Sequence, residues 1–476
     1  MRSARIQTVR SSVAPLFGRG TRAVSTRRPS KASGTATMRC RAAKVHPSAP
    51  PSKPSSKIRV APAAGGSAEA GWGKTARQRS ATRAGCTEDT VVIIDPGWVS
   101  IRWMPWVALD LGSSNSVAAV LRDETPEVVP LRGQARCIPS VVAVDERGRF
   151  LVGRDARAQL LARPQDTIFA MKMILGRRPS AAFQHFLDNA PFRVKLGSAG
   201  AVAILGGQAL PVLDAAAMVL KEVRGQAQDN LGWEIHDVTL PVPDYFTEEQ
   251  RAALEEAARR AGARRATTVD ESEALVPLVE RTTPGARRVF LFGLGGGVLG
   301  ATLLERFSSR LEVAATNGED LGGADFDRRL AAHLHERFLE QSGLASYSDP
   351  VGRQRILEAA EAAKVRLDEV EEVPVQVPFL TFGADSAPVG LDVVLTRSEM
   401  ARQTRDLLER CAAVAGSVLR ASRVEPDDVD AVFVYGRQAR SPLVLDALEA
   451  AFGRRPQRLP EAAAARGAVL LAEGAA

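Results

Sequence analysis

Asp110 heads the segment Asp110-Leu111-Gly112-Ser113-Ser114-Asn115-Ser116, a polar turn between the apolar runs Trp106 to Leu109 and Val117 to Leu121. Backbone N–H groups in such a turn, together with serine hydroxyls, can donate to phosphate oxygens. A carboxylate beside them can hold magnesium through its water shell, because this ion keeps several waters. A plain hairpin with a polar turn gives the same pattern, so the segment alone leaves the chemistry open. A second segment repeats the arrangement. Val289 to Phe292 runs into Gly293-Leu294-Gly295-Gly296-Gly297-Val298-Leu299-Gly300, and Ala301 to Leu304 returns. Two such hairpins, about 180 residues apart, point to duplicated lobes facing each other across a nucleotide cleft. For the second segment a glycine-rich core turn is the alternative.

These turns need a sizeable core to hold them. Of the 476 residues 45% are hydrophobic and 25% charged, enough for a large buried interior and more than one lobe. Between the turns, Thr247 and Gln250 have the spacing of a capping box. Leu254, Ala257, Ala258 and Ala261 form an apolar stripe, and Gly262 ends the expected helix.

Charge is divided unevenly. Residues 1–103 carry 19 Lys and Arg against four acids, a net of +15, so with +8 overall the remainder carries −7. The basic balance therefore belongs to the N-terminal segment, and a nucleic-acid-binding domain is not expected. Residues 1–87 are rich in Arg, Ser, Ala and Pro, a composition that buries too little apolar surface to order itself. Three readings fit residues 1–103: a start placed too far upstream of Met104, a disordered basic tail, or an organelle transit peptide.

Cys40, Cys86, Cys137 and Cys411 form no CxxC pair, and the five histidines show no ligand spacing, so neither zinc nor a disulfide framework is expected. A reducing, cytoplasmic compartment fits. The uncharged run from Val289 to Leu304 contains five glycines and falls short of the roughly 20 residues a membrane span needs. It reads as strand, turn and strand, and no membrane association is expected.

Eight segments stand in a telling order: ALDLGSSNS, IPSVVAV, LVGRDA, IFAMKMILGRRP, LPVPDYFTEEQRAALEEAARRAG, ATNGEDLGGADFDRRL, LEAAEAAKVRL and VYGRQARSP. By these motifs, residues 104–476 resemble the ATPase domain of the seventy-kilodalton heat-shock chaperones. The resemblance implies an α/β, actin-like ATPase fold: two lobes of duplicated mixed sheets flanked by helices around a nucleotide cleft, with lobe I at about 104–285 and lobe II at about 286–476. It implies ATP and magnesium as ligands. Asp110, Gly112, Ser113, Ser114 and Asn115 match the first phosphate loop, with Asp110 reaching magnesium through water. Lys172 matches the lysine that positions the γ-phosphate and attacking water, and Glu271 the catalytic-site carboxylate. Pro243 and Arg251 match a proline switch and its arginine relay. Gly295, Gly296 and Gly297 match the second loop. Gly322 and Gly323 match backbone that receives phosphate and ribose, Glu361, Lys364 and Gly436 the adenosine site, and Arg440 the arginine that stacks on adenine. Without a nucleotide, an ordinary charged helix face would account for Glu361 and Lys364.

Departures from the family pattern bear on activity. Gly293, Val298 and Gly300 stand where family members carry Asp, Thr and Asp. Ser272 and Glu273 replace the Pro and Thr that usually follow Glu271, while Arg437 replaces a glycine and Val365 an arginine of the adenosine site. Backbone donors survive these changes, so binding is expected to suffer less than hydrolysis. The family's interdomain linker and peptide-binding domain are not seen before Ala476, so no client-peptide clamp is expected in this chain. Two functional readings follow. One is an ATP-binding chaperone-family protein with weak or absent hydrolysis, working with J-domain or nucleotide-exchange partners. The other is a pseudo-ATPase acting as an interaction scaffold. A sugar kinase or cytoskeletal relative is disfavoured by TLPVPDYF, GRR and LGGADFD.

Overall fold

In the computed structural model the described residues are 90–95, 98–103 and 106–475, without 189, 198–199, 345–346 and 384–385. The readings of the basic segment, and Cys40 and Cys86, therefore lie outside them. Two units are distinguished, and a short antiparallel hairpin of Thr90–Asp95 and Trp98–Trp103 belongs to the smaller one.

The larger unit is built on two central sheets with the same pairing pattern. In the first, the order is Arg265–Asp270, Asp237–Val242, Val107–Leu111, Asn115–Arg122, Thr125–Val128. The first two pairings are parallel and the last two antiparallel. In the second, the order Gln457–Arg458, Ala431–Tyr435, Arg288–Leu294, Leu299–Phe307, Arg310–Glu319 gives two parallel and then two antiparallel pairings. The duplication expected from the two turns is therefore a duplication of whole sheets. Strands that pair on both sides and are covered by helices have no polar face, so they read as nearly continuous apolar runs. Val289, Phe290, Leu291, Phe292 and Leu294 are all buried, as are Val432, Phe433 and Val434.

Local signals set the helix ends. Thr247 and Gln250 make the expected capping box for Glu248–Arg260, and Leu254, Ala257 and Ala258 form its buried stripe. Gly262 leaves at φ +96°, a conformation that disfavours a side chain. Asp349 caps Pro350–Leu367, accepting from the Gly352 N–H, with proline in the first turn where no donor is needed.

The spatial division differs from the chain division at 285/286 in two helices. Glu271–Thr282 buries Leu275, Val276 and Val279 against Val289, Leu291, Leu304 and Phe433 of the second sheet. Ala463–Ala475, the last helix, packs Ala465, Ala468 and Val469 back onto Ala108 and Ala119 of the first sheet. The lobes thus exchange one helix each, and the two helices cross at small residues. A Cβ at Gly467 would lie 1.9 Å from the Ala274 carbonyl oxygen. Helix axes this close exclude any side chain there.

Gly467→Ala therefore has to push the crossing apart. Overpacking of this kind costs about 1–3 kcal/mol, which a lowered urea midpoint would report. An unchanged midpoint would mean that the crossing is looser than described.

Candidate functional site

The first turn is braced from below. Val107, Ala108, Leu109 and Leu111 are buried, whereas Asp110 is only partly so. A Cβ at Gly112 would lie 2.2 Å from the Asn115 carbonyl oxygen, so the tightness of the turn demands glycine. The Ser140 N–H donates to the Ser114 carbonyl at 2.9 Å, and the Ser116 and Ser140 hydroxyls are 2.8 Å apart.

The second turn is closed by the Gly295 N–H donating to Val298 O at 2.9 Å. Its carbonyls anchor the start of Gly323–Ser342: the Gly323 N–H donates to Gly295 O and the Ala324 N–H to Gly296 O, both at 2.9 Å. Gly436, at φ +83°, sits against Leu294 O, 2.5 Å from where its Cβ would be. The predicted glycines 295, 296, 297, 322, 323 and 436 therefore converge on one spot. That spot faces the first turn directly. A Cβ on Gly296 would be 2.2 Å from Ser114 Oγ, and one on Gly297 would be 3.2 Å from Ser113 Oγ. The N–H groups of Gly296 and Gly297 and the hydroxyls of Ser113 and Ser114 have no protein hydrogen-bond partner among the described residues. Four donors brought together without acceptors fit phosphate oxygens.

At the floor between the turns lies Lys172, in the short turn Met171–Met173 and 5% exposed. Its Nζ is 3.4 Å from Asp110 Oδ1 and 3.6 Å from Glu271 Oε1. Burial alone would lower the ammonium pKa, but the two carboxylates outweigh it and hold it above the ordinary value. Burial pushes the Glu271 carboxyl up to about 7 against the pull of Lys172, with Asp110 and Asp244 adding to the rise. Glu271 opens its helix, Asp270 precedes it, and Asp270 is ion-paired to Arg251. Arg251 also donates to the carbonyls of Phe246 and Asp244, at 3.3 and 3.4 Å, so it ties the segment after the buried Pro243 to the start of the Glu271 helix. Asp110, Lys172, Glu271 and the Pro243–Arg251 pair are thus one connected group.

The residues matched to adenosine contacts are brought nearby but already engaged. Lys364 is buried, 2.8 Å from Asp327 and 3.0 Å from the Gly323 carbonyl. Arg440 donates to Leu459 O at 2.5 Å. Glu361 pairs with Arg157 at 2.7 Å, joining the second lobe to the first. Arg437 is exposed, and its charge falls on Asp368 and Cys137, whose pKa values burial raises against that pull.

Several residues of the site escape sequence reasoning. Tyr435, 8% exposed, comes from the opposite lobe, where burial and then the nearby Glu271 charge push its hydroxyl pKa well up, and Asp244 accepts from the Ser272 hydroxyl. Arg177 and Asp320 form a second ion pair across the lobes, beside a cavity of about 470 Å³ that Tyr245 and Gly318 also line. Ser272 hints at its own partner, since a hydroxyl in place of proline invites an acceptor. Arg157 and Arg177 look like surface cations in sequence, because their partners lie about 200 and 140 positions away.

The Hsp70 protein family model matches residues 106–474. Chaperone protein DnaK 1 of Synechococcus is 34% identical over 359 residues, which is 74% of this chain and 47% of that protein. The chain spans about half the length of the curated relative it matches. With duplicated sheets, facing turns and these matches in agreement, the chain belongs to the Hsp70 family and carries that family's actin-like ATPase fold.

Proposed function

We propose that this chain binds ATP between the two turns and hydrolyses it slowly or not at all. One observation carries the reading: the first-lobe half of the centre, Asp110, Lys172 and Glu271, is assembled, while Gly293, Val298 and Gly300 opposite it offer no reactive side chain. The unpartnered donors at Ser113, Ser114, Gly296 and Gly297 support binding through backbone and hydroxyl groups. Lys172 would face the terminal phosphate and offset its charge. Glu271 would hold a water, with Arg251 and Pro243 positioning the start of its helix. ATP supplies a phosphoanhydride whose cleavage needs charge stabilisation that this site provides from one side only. As in other members of its family, a J-domain protein and an exchange factor are the partners to try first, in the cytoplasm.

A second reading, a nucleotide-independent scaffold, draws on the Arg157–Glu361 and Arg177–Asp320 pairs. These join the lobes through the chain's own charges.

Isothermal titration with MgATP should show binding. A single-turnover assay run beside an intact family ATPase should show hydrolysis at least about 100-fold slower, the loss expected when one preorganised stabilising group is missing. Hydrolysis at the intact rate would overturn the slow-ATPase reading, and absence of binding would favour the scaffold.

The same centre should make stability depend on pH. Glu271 takes its proton near 7 when folded and near 4.5 when unfolded, so the folded state binds more protons between those values. Stability from this group is complete below about 4.5 and is lost as pH rises through 7. Urea unfolding should show the protein about 2 kcal/mol less stable at pH 8 than at pH 5.5 from this source. Glu271→Gln should shrink the difference without removing it, because Asp244 and Asp327 are each raised to about 6 by burial. Equal slopes for wild type and variant would refute the assignment.

Lys172→Met would leave two carboxylates facing each other. Removing one partner of a buried pair costs about 3–5 kcal/mol. The penalty should be larger at pH 8 than at pH 6, where Glu271 is protonated; a pH-independent penalty would show that the lysine is not paired with Glu271.

A further inference from the structure

Gly300, Gly293 and Tyr435 lie side by side on three neighbouring strands. Gly293 is opposite Gly300 in the antiparallel register and opposite Tyr435 in the parallel one. A Cβ built on Gly293 would meet the Tyr435 ring at 2.2 Å (Cζ), 2.5 Å (Oη) and 2.6 Å (Cε2), and one on Gly300 would be 3.5 Å from Tyr435 Oη. The ring thus lies across both glycines. Cross-strand neighbours interact as units, and an aromatic side chain covering a neighbouring glycine is a recognised way to complete a sheet face. Two glycines and one tyrosine form a single packing solution.

That solution leaves no carboxylate where family members carry Asp. A magnesium ion takes six oxygens in octahedral geometry, several of them water, and draws on one or two carboxylates for charge. A carboxylate on Gly293 has no room while the Tyr435 ring is present. Of the acids that remain, Asp110 and Glu271 are both paired with Lys172. Among the described residues no three His, Cys, Asp or Glu side chains converge on a point that could hold a metal ion. For a hydrated magnesium ion this leaves Asp110, already paired with the Lys172 ammonium, with no carboxylate at Gly293 to share the charge.

We propose that the Tyr435 ring occupies the place of the Asp that family members carry at Gly293, and that this protein's affinity for nucleotide phosphates is independent of divalent cation. The proposal rests on the nucleotide-binding reading. Lys172 supplies the positive charge at the terminal phosphate, and the turn N–H groups and serine hydroxyls supply the hydrogen bonds. Tyr435 fills the space over Gly293 and Gly300 that a metal-binding side chain would need.

The test has two readouts on the full chain. In the first, ATP and ADP are titrated in MgCl2 and in EDTA. The dissociation constants should agree within about threefold, and tenfold or greater weakening in EDTA, about 1.4 kcal/mol, overturns the proposal while leaving ATP binding intact. No binding in either buffer overturns the nucleotide reading and this proposal with it. The second readout needs no nucleotide. Gly293→Asp alone should lower the urea midpoint sharply because the new side chain strikes the ring. Gly293→Asp combined with Tyr435→Val, which clears the ring and keeps a strand-forming residue, should recover the midpoint and acquire magnesium-dependent ATP binding of tenfold or more. If Gly293→Asp is tolerated equally with and without Tyr435→Val, the ring of Tyr435 does not occupy that place and the proposal falls.

Discussion

Lys172 is the charge on which the centre turns. A buried ammonium is tolerated only when its desolvation is offset by close carboxylates, and here Asp110 and Glu271 lie at 3.4 and 3.6 Å. Those three residues come from three different elements: the end of a central strand, a one-turn helix and the first residue of a long helix. Pairing them fixes the first hairpin against the helix that the first lobe lends to the second. Glu271 then reaches Tyr435 on the second sheet. One ion cluster therefore connects both halves at the point where the turns face each other.

The duplicated architecture was legible because it is written in periodicity and turn chemistry. The runs before Gly112 and Gly295 are apolar because their strands are buried on both faces, and glycine marks the places where backbone passes too close for a Cβ. The capping box at Thr247 and the stop at Gly262 could be read for the same reason, since both are local. The exchange of helices could not be read this way. The alanines of 463–475 would suit either sheet, and only the three-dimensional crossing at Gly467 and Ala274 decides.

For the site, local matching placed the glycines, Asp110, Lys172 and Glu271, which the fold brings together. What the sequence concealed was compensation at a distance. Gly293 and Gly300, taken singly, read as losses. Tyr435 reads as one more apolar strand residue between Val434 and Gly436. Only the register of three strands shows that the ring covers both glycines. Asp244 and Ser272 are a similar pair, separated in sequence and joined by a hydrogen bond. Substitutions that depart from a family pattern carry their meaning in the neighbours that fill the space.

The crossing of the two exchanged helices has a mechanical consequence. Each helix packs part of its length on a sheet of the other half, and the two touch through Gly467 and the Ala274 backbone, where small residues meet. Smooth contact between small residues resists pulling apart but offers little to oppose sliding, the shear type of domain movement. With Ser114 and Gly296 in contact, a group entering between those tips has to displace one half from the other, and a crossing of small residues favours sliding over separation.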